Sequence, residues 1–245
     1  MVPNIVIIPT YNERGNIEKM IHKVMSLSPQ FNLLIVDDSS PDGTAHIVRN
    51  LQSIYPERLF LIERAGKLGL GTAYIVGFKW ALERGYEYIF EMDCDFSHNP
   101  DDLIRLLEEA HKGYDLVIGS RYVKGGGFRN WPMSRILLSR VASLYVNVVT
   151  WIGIADTTAG FVCFHRKVLE SIDLDRIKFI GYTFQIEMKY AARQLGFRIK
   201  EIPIIFTERV EGVSKMSANI IKEAIGGVLS IRWNSLFRSY RRRVD

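Results

Sequence analysis

Cysteine is scarce: Cys94 and Cys163 are the only 2 in 245 residues. They lack metal-ligand spacing and are too few for a disulfide framework, so a reduced, cytosolic setting is expected. Long apolar runs are lacking too. No segment reaches the roughly 18 uncharged apolar residues of a spanning helix. Arg140 interrupts the best candidate, and Lys222, Glu223 and Arg232 interrupt the next. Met1-Val2-Pro3-Asn4 leads into a strand-like run without a basic stretch and signal-type core, which argues against secretion. The 5 histidines, His22, His46, His98, His111 and His165, form no His-x-x-x-His pair and no nucleophile triad. They read as surface or turn residues, with His98 alone close to the acidic cluster described below.

What is present is an ordinary globular composition, 47% hydrophobic and 24% charged, long enough to bury a substantial core in one large domain. The net charge of +5 is concentrated at the C-terminal end. There Lys222, Arg232, Arg238, Arg241, Arg242 and Arg243 face only Glu223 and Asp245. Such asymmetry points to a basic tail that meets an anionic surface, lipid or nucleic acid.

Ile5-Val6-Ile7-Ile8 is a β-branched run without alternation, as expected of a central parallel strand covered on both faces. Helical and strand-like segments then alternate: Ile17 to Leu27, Phe31 to Val36, Ala45 to Ile54, Leu59 to Ile62, a helix through Leu82, Tyr88 to Glu91, Asp101 to about His111, and Leu116 to Ser120. This predicts an α/β fold with a mostly parallel sheet and right-handed crossovers. Further strands are expected at Phe161-Val162-Cys163-Phe164 and Ile202-Pro203-Ile204-Ile205-Phe206, with a helix from Phe184 to Leu195 between them. From Ser134 to Thr150 the pattern is helical. Leu137, Val141, Leu144, Tyr145, Val148 and Ile152 share one arc, and Arg135, Ser139, Arg140, Ser143 and Asn147 the other, so the apolar arc is expected to pack on the core. A last helix, Ser217 to Tyr240, is apolar and becomes basic near its end.

Three strands end in polar clusters: Pro9-Thr10-Tyr11-Asn12-Glu13, Val36-Asp37-Asp38-Ser39-Ser40, and Asp93-Cys94-Asp95. Alternate residues of an extended chain share a face, so Asp93 and Asp95 point together and Cys94 away. Two hard oxygen ligands at the carboxyl end of an α/β strand suit a magnesium or manganese ion that also holds a diphosphate. Lys67-Leu68-Gly69-Leu70-Gly71-Thr72 could offer N–H groups to a phosphate at a helix N-terminus but reads first as a tight turn, and its lack of triphosphate-loop or dinucleotide spacing argues against an ATPase or dehydrogenase.

Together these motifs resemble the family 2 inverting glycosyltransferases of the GT-A fold, and within them the polyprenol phosphate mannose synthases. The similarity runs from Ile5 to about Lys215. The resemblance implies a GT-A-like α/β domain over residues 1–216 and a C-terminal amphipathic appendage over 217–245. It implies a sugar-nucleotide donor held by Pro9, Tyr11, Glu13, Val36, Asp38 and Asp93. It also implies Mg²⁺ or Mn²⁺ on Asp93 and Asp95 beside Ser97, where some relatives carry Gln. An acceptor phosphate would be met by Ser120, Arg121, Arg135, Arg140, Arg209 and Lys215, with Arg135 and Arg140 as equal candidates. The groups acting on the reaction would be Asp93, Asp95, Arg121, Arg209 and Lys215. Guanidinium forks grip oxyanions bidentately and a lysine adds a mobile charge, which suits this assignment. Asp156-Thr157-Thr158-Ala159-Gly160-Phe161 matches a family segment near the acceptor, where Asp156 would orient substrate or merely close a turn.

The expected activity is transfer of a hexose, mannose from GDP-mannose first, to a polyprenyl phosphate. UDP-glucose as donor or a glycan hydroxyl as acceptor is the rival. A flavodoxin-like sensor would explain Val36-Asp37-Asp38 but not the later acidic pair. Nucleic-acid binding by the tail, where Trp233, Phe237 and Tyr240 interleave with arginines, would leave the acidic rim without purpose. A lipid acceptor with no spanning helix implies peripheral attachment at the cytoplasmic face of a membrane, through the apolar face at Ile220, Ile221, Ala224, Ile225, Val228 and Leu229 and the arginines after it.

Overall fold

A computed structural model describes residues 3–179, 181–208, 218–237 and 239–242. Strand and helix alternate through β1 (Asn4–Thr10), α1 (Ile17–Met25), β2 (Asn32–Asp37), α2 (Thr44–Gln52), β3 (Leu59–Glu63), α3 (Leu70–Glu83), β4 (Tyr88–Glu91), α4 (Asp102–His111) and β5 (Leu116–Ser120). They continue as β6 (Gly127–Arg129), α5 (Met133–Thr150), β7 (Val162–His165), α6 (Arg166–Ser171), a 3-10 turn at Leu174–Arg176, α7 (Tyr182–Gln194), β8 (Ile199–Pro203), β9 (Ile205–Thr207) and α8 (Ala218–Ser235).

Seven strands form one sheet in the order β3-β2-β1-β4-β7-β5-β8. All pairs are parallel except those of β7, which runs antiparallel between β4 and β5. The β-branched run of β1 is fully buried because alternate residues enter opposite layers. Ile5 and Ile7 join a core with α3 and α7, while Val6 and Ile8 join one with α1 and α4. β1 continues through Pro9, which sequence placed after the strand. Its pairing with β4 stops at Ile7, so beyond that residue β1 has a neighbour on one side only, which suits a residue without an N–H. Both cysteines are buried free thiols.

Two expectations are corrected. Ile202–Phe206 is two strands, not one: the chain leaves the main sheet after Pro203, and β9 pairs in parallel with β6 in a separate ribbon. A Cβ at Gly126, just before β6, would lie 2.6 Å from the Ser120 carbonyl oxygen, so only glycine lets the ribbon pass this close to the end of β5. Helix α5, in turn, is packed largely the other way round, although Ile152 and Tyr145 of the expected arc do meet the core and Arg140 of the other arc is exposed. Leu137, Val141, Leu144 and Val148 are exposed, and Ser143, Val146 and Thr150 face inward. The polar arc is drawn in because the loop after α5 needs hydrogen-bond partners. The Asn147 side chain donates to the carbonyls of Ser143 and Ile154 and accepts from the N–H groups of Gly153 and Ile154, while Thr157 donates to Ser143.

Helix α8 ends at Ser235 rather than Tyr240, and Ser235 bonds Tyr190 at 2.8 Å. The helix buries Val228, expected on the membrane-facing side, with Ile231 in the core shared with α7, while the side chains of Ile220, Ile221 and Ala224 lie outside those described. Its other side exposes Ile225, Leu229, Trp233 and, just beyond, Leu236 and Phe237. Among the described residues no helix is long and apolar enough to cross a membrane.

Candidate active site

β2, β1 and β4 are neighbours and parallel, so their carboxyl ends share one edge, with the outer two roughly 10 Å apart. Pro9 and Val36 sit opposite each other there, Tyr11 and Glu13 follow β1, Asp38 follows β2, and Asp93 and Asp95 follow β4. Asp37 braces this edge from inside, accepting from Thr10 Oγ1 at 2.7 Å and from the N–H and hydroxyl of Ser40 at 2.8 and 2.6 Å. Asp38 is buried and accepts from Arg64 Nε at 2.6 Å and the Leu68 N–H at 3.2 Å. Arg64 also donates to Gly69 O and Thr72 Oγ1, which fixes the turn before α3. Within that turn Lys67 Nζ lies 4.6 Å over the Tyr11 ring. Asp38, Arg64, Lys67 and Tyr11 thus form one wall of this edge. Arg64 has no signal in the sequence and Lys67 reads there only as part of a turn, because a loop arginine or lysine shows no sign of its partner.

Asp93 is 42% exposed, while Asp95 is buried and accepts the Ser97 N–H at 3.0 Å across a tight turn in which Phe96 has φ 58°. The hydroxyl of Ser97 and Nδ1 of His98 are buried and have no hydrogen-bond partner among the described residues. Among the described residues no three His, Cys, Asp or Glu side chains gather into a ready metal cage. Two carboxylates and an orphaned hydroxyl are hard oxygens. They fit Mg²⁺ or Mn²⁺, ions that complete their shell with water and substrate phosphates. His98 is no surface residue. It stacks on Phe161 with centroids 5.0 Å apart, and its Nδ1 lies 3.9 Å from Asp93. Burial pushes its pKa down to about 4 against the pull of Asp95, so the imidazole is neutral at pH 7.

Beyond β5 the arginines gather. Asp156 takes three hydrogen bonds from Arg121: its N–H at 3.0 Å, Nε at 2.7 Å and Nη2 at 2.6 Å. Both side chains are buried. Burial alone would raise the Asp156 carboxyl, but the guanidinium and its hydrogen bonds hold it below the usual range. The N–H groups of Ala155 and Asp156 are themselves bound by the Glu201 carboxylate of β8, so the clamp is anchored to the sheet. Arg140 is exposed, 5.6 Å from the Tyr122 ring, and Arg135 pairs with Glu208 at 3.2 Å. Ser120 is buried and accepts the Tyr122 N–H. Arg209 and Lys215 lie outside the described residues. The arginine region adjoins the acidic turn: the Thr207 N–H donates to Ser97 O, and a Cβ at Gly160 would stand 4.0 Å from Asp93 Oδ2.

A buried pair beneath this edge has no counterpart in the sequence reading. Lys189 Nζ donates to Ala159 O at 2.6 Å and to Gln185 O and Oε1, both at 3.2 Å. Glu91 is fully buried, and its oxygens have no hydrogen-bond partner of good geometry among the described residues, with the Gln185 amide the polar group that acts on it. Burial pushes Glu91 up to about 8 against the Lys189 charge, and pushes Lys189 down to about 8 against Glu91. Their only signal was a charge inside an apolar strand and another on the inner side of a helix. Lys189→Met is expected to cost about 1–3 kcal/mol, because Ala159 O and Gln185 Oε1 lose their buried donor, and adding Glu91→Leu to recover part of it. Denaturant titration across the four proteins of this cycle measures the coupling, and additive losses would refute the pairing.

An α/β sheet with paired carboxylates at its carboxyl edge and buried arginine beside it defines a glycosyltransferase of GT-A architecture. Residues 5–173 match glycosyl transferase family 2, and the chain belongs to that family. It is 48% identical over 221 residues to a polyprenol monophosphomannose synthase of Mycolicibacterium smegmatis, covering 90% of this chain and 83% of that protein. It is 44% identical over 236 residues to an undecaprenyl-phosphate mannosyltransferase of Micrococcus luteus, covering 95% and 96%. Among solved structures it resembles glucosyl-3-phosphoglycerate synthase of Mycobacterium tuberculosis in complex with Mn²⁺, UDP and glucosyl-3-phosphoglycerate. That likeness has a TM-score of 0.68 at 18% identity, covering 94% of this chain and 80% of the other, and it concerns the fold.

Proposed function

We propose that this transferase moves mannose from GDP-mannose to a polyprenyl phosphate with inversion at the anomeric carbon. The observation that carries the reading is two anion-binding features side by side: the Asp93–Asp95 edge for a diphosphate with its ion, and Arg121 with Arg140 for a phosphate that enters from the exposed faces of α5 and α8. The names of the relatives at 44–48% identity support the same substrates.

Asp93 and Asp95, with Ser97 beside them, would hold Mg²⁺ or Mn²⁺. Bound there, such an ion supplies Lewis-acid stabilisation of the departing nucleoside diphosphate. The wall of Tyr11, Lys67 and Asp38 takes the nucleoside. An acceptor phosphate oxygen forms the new bond to the anomeric carbon while the bond to the diphosphate oxygen breaks on the opposite face. A phosphate monoester is largely ionised at neutral pH, by analogy with a phosphoserine second pKa of about 6. Positioning therefore replaces a strong general base. Arg121, kept charged and fixed by Asp156, and Arg140 do that positioning, and Arg209 and Lys215 are further candidates.

Peripheral membrane contact at the cytoplasmic face is part of the proposal. Ile225, Leu229, Trp233, Leu236 and Phe237 line one exposed side of α8 and its exit, and Arg241 and Arg242 are exposed just after it. An apolar stripe with adjacent cations suits anionic lipid.

Labelled transfer from GDP-mannose and UDP-glucose to polyprenyl phosphate in anionic vesicles, with and without chelator, tests the reading. Mannose should be incorporated, chelator should abolish incorporation, and the protein should sediment with the vesicles. Transfer that survives chelation would overturn the metal assignment.

A further inference from the structure

Resting on the acceptor assignment above, we propose that Tyr122, Phe128, Trp131 and Phe206 form the subsite for the first isoprene units of the acceptor, and that the chain leaves it along Met133 and Leu137.

The four rings make one cluster. Phe128 and Trp131 stack with centroids 4.9 Å and planes 4° apart; Phe206 lies 5.4 Å from Trp131, and Tyr122 lies 5.7 Å from Phe128. The Arg121 guanidinium carbon is 5.4 to 5.9 Å from all four centroids. Among the described residues its side-chain hydrogen bonds go from Nε and Nη2 to Asp156 and Thr158, which leaves Nη1 for an anion. A cation surrounded by ring surface recognises a ligand whose charged head is joined directly to an apolar chain. A mere cover over Arg121 would bury its rings fully, yet all four keep part of their surface exposed.

The chain path continues this surface without a break. Trp131 is followed by Pro132 and then by Met133, 77% exposed, and Leu137, 63% exposed. Val141, Leu144 and Val148 extend the same side of α5, a stripe of about 22 Å at 1.5 Å rise per residue. Helix α5 contains no acidic residue, and Arg140 stands midway along the stripe, 5.6 Å from the Tyr122 ring. Ser143 and Asn147 are turned inward to hold the following loop, so the apolar stripe with Arg140 is left to a ligand.

The test uses the full chain without vesicles, so that a bilayer contributes nothing, and short prenyl phosphates of two, three and four isoprene units with GDP-mannose. Phe128→Ala and Trp131→Ala should each raise the acceptor KM about ten- to a hundredfold, the equivalent of one buried aromatic side chain. The donor KM should stay within twofold, and Trp131→Phe should restore most of the loss. On the exposed helix face, where folding is not at risk, Met133→Ser/Leu137→Ser should raise KM several-fold for the four-unit acceptor and leave the two-unit acceptor unchanged. Unchanged acceptor KM in the ring variants, or equal rises for donor and acceptor, would overturn the subsite. If the native protein transfers sugar to no prenyl phosphate while binding GDP-mannose, the acceptor assignment itself falls, and this subsite with it.

Discussion

Asp95→Ala is expected to lower kcat for sugar transfer by about a thousandfold or more, the scale of losing one preorganised charge at the leaving group. The reason is placement. Asp95 is buried, and its Oδ1 is fixed by the Ser97 N–H, so the carboxylate is aimed before substrate arrives. Asp95→Asn keeps the shape, removes the charge and should be nearly as inactive. Initial rates at saturating Mn²⁺ with both substrates measure the effect, and near-native turnover in either variant would refute the assignment of the acidic edge.

Asp156→Ala carries the second large effect, and it is felt in two measurements at once. It strands a buried guanidinium whose only carboxylate partner among the described residues is Asp156, which costs about 3–5 kcal/mol. For a chain of this size that lowers Tm by roughly 10 °C. Transfer is lost as well, since Arg121 is no longer held among its four rings. The pair Arg121→Met/Asp156→Leu separates the two consequences: thermal stability should largely return because no unpaired charge remains, while transfer should stay absent. Recovery of activity in that double variant would show that the clamp only supports the fold.

The main sheet was legible because its strands announce themselves individually. Ile5 to Ile8 and Leu33 to Val36 are apolar on both faces, a pattern that fits a covered parallel strand and little else. The three polar clusters were equally legible, since each stands at a strand end and parallel strands end together. The direction of β7 was not, because an apolar run of four residues reads the same both ways. The break after Pro203 was hidden for a related reason: Ile202 and Ile205 are alike in sequence but belong to different sheets. α5 misled through its clear amphipathicity. Which arc goes inside depended on the hydrogen bonds needed around Gly153 and Ile154, and helical period carries no information about them. Partnerships such as Asp38 with Arg64 join residues 26 apart, and only the folded chain brings them together.

The burial of both thiols has a practical consequence. Cys94 is 3% exposed and Cys163 fully enclosed, and burial raises the pKa of each well above the ordinary thiol value. Alkylating reagents attack thiolates, so neither will react at a useful speed in the native protein. The molecule is therefore a natural background for a single introduced cysteine. A nitroxide or fluorophore placed turn by turn along α5 would report depth and polarity at each position, with no native side chain to be removed first.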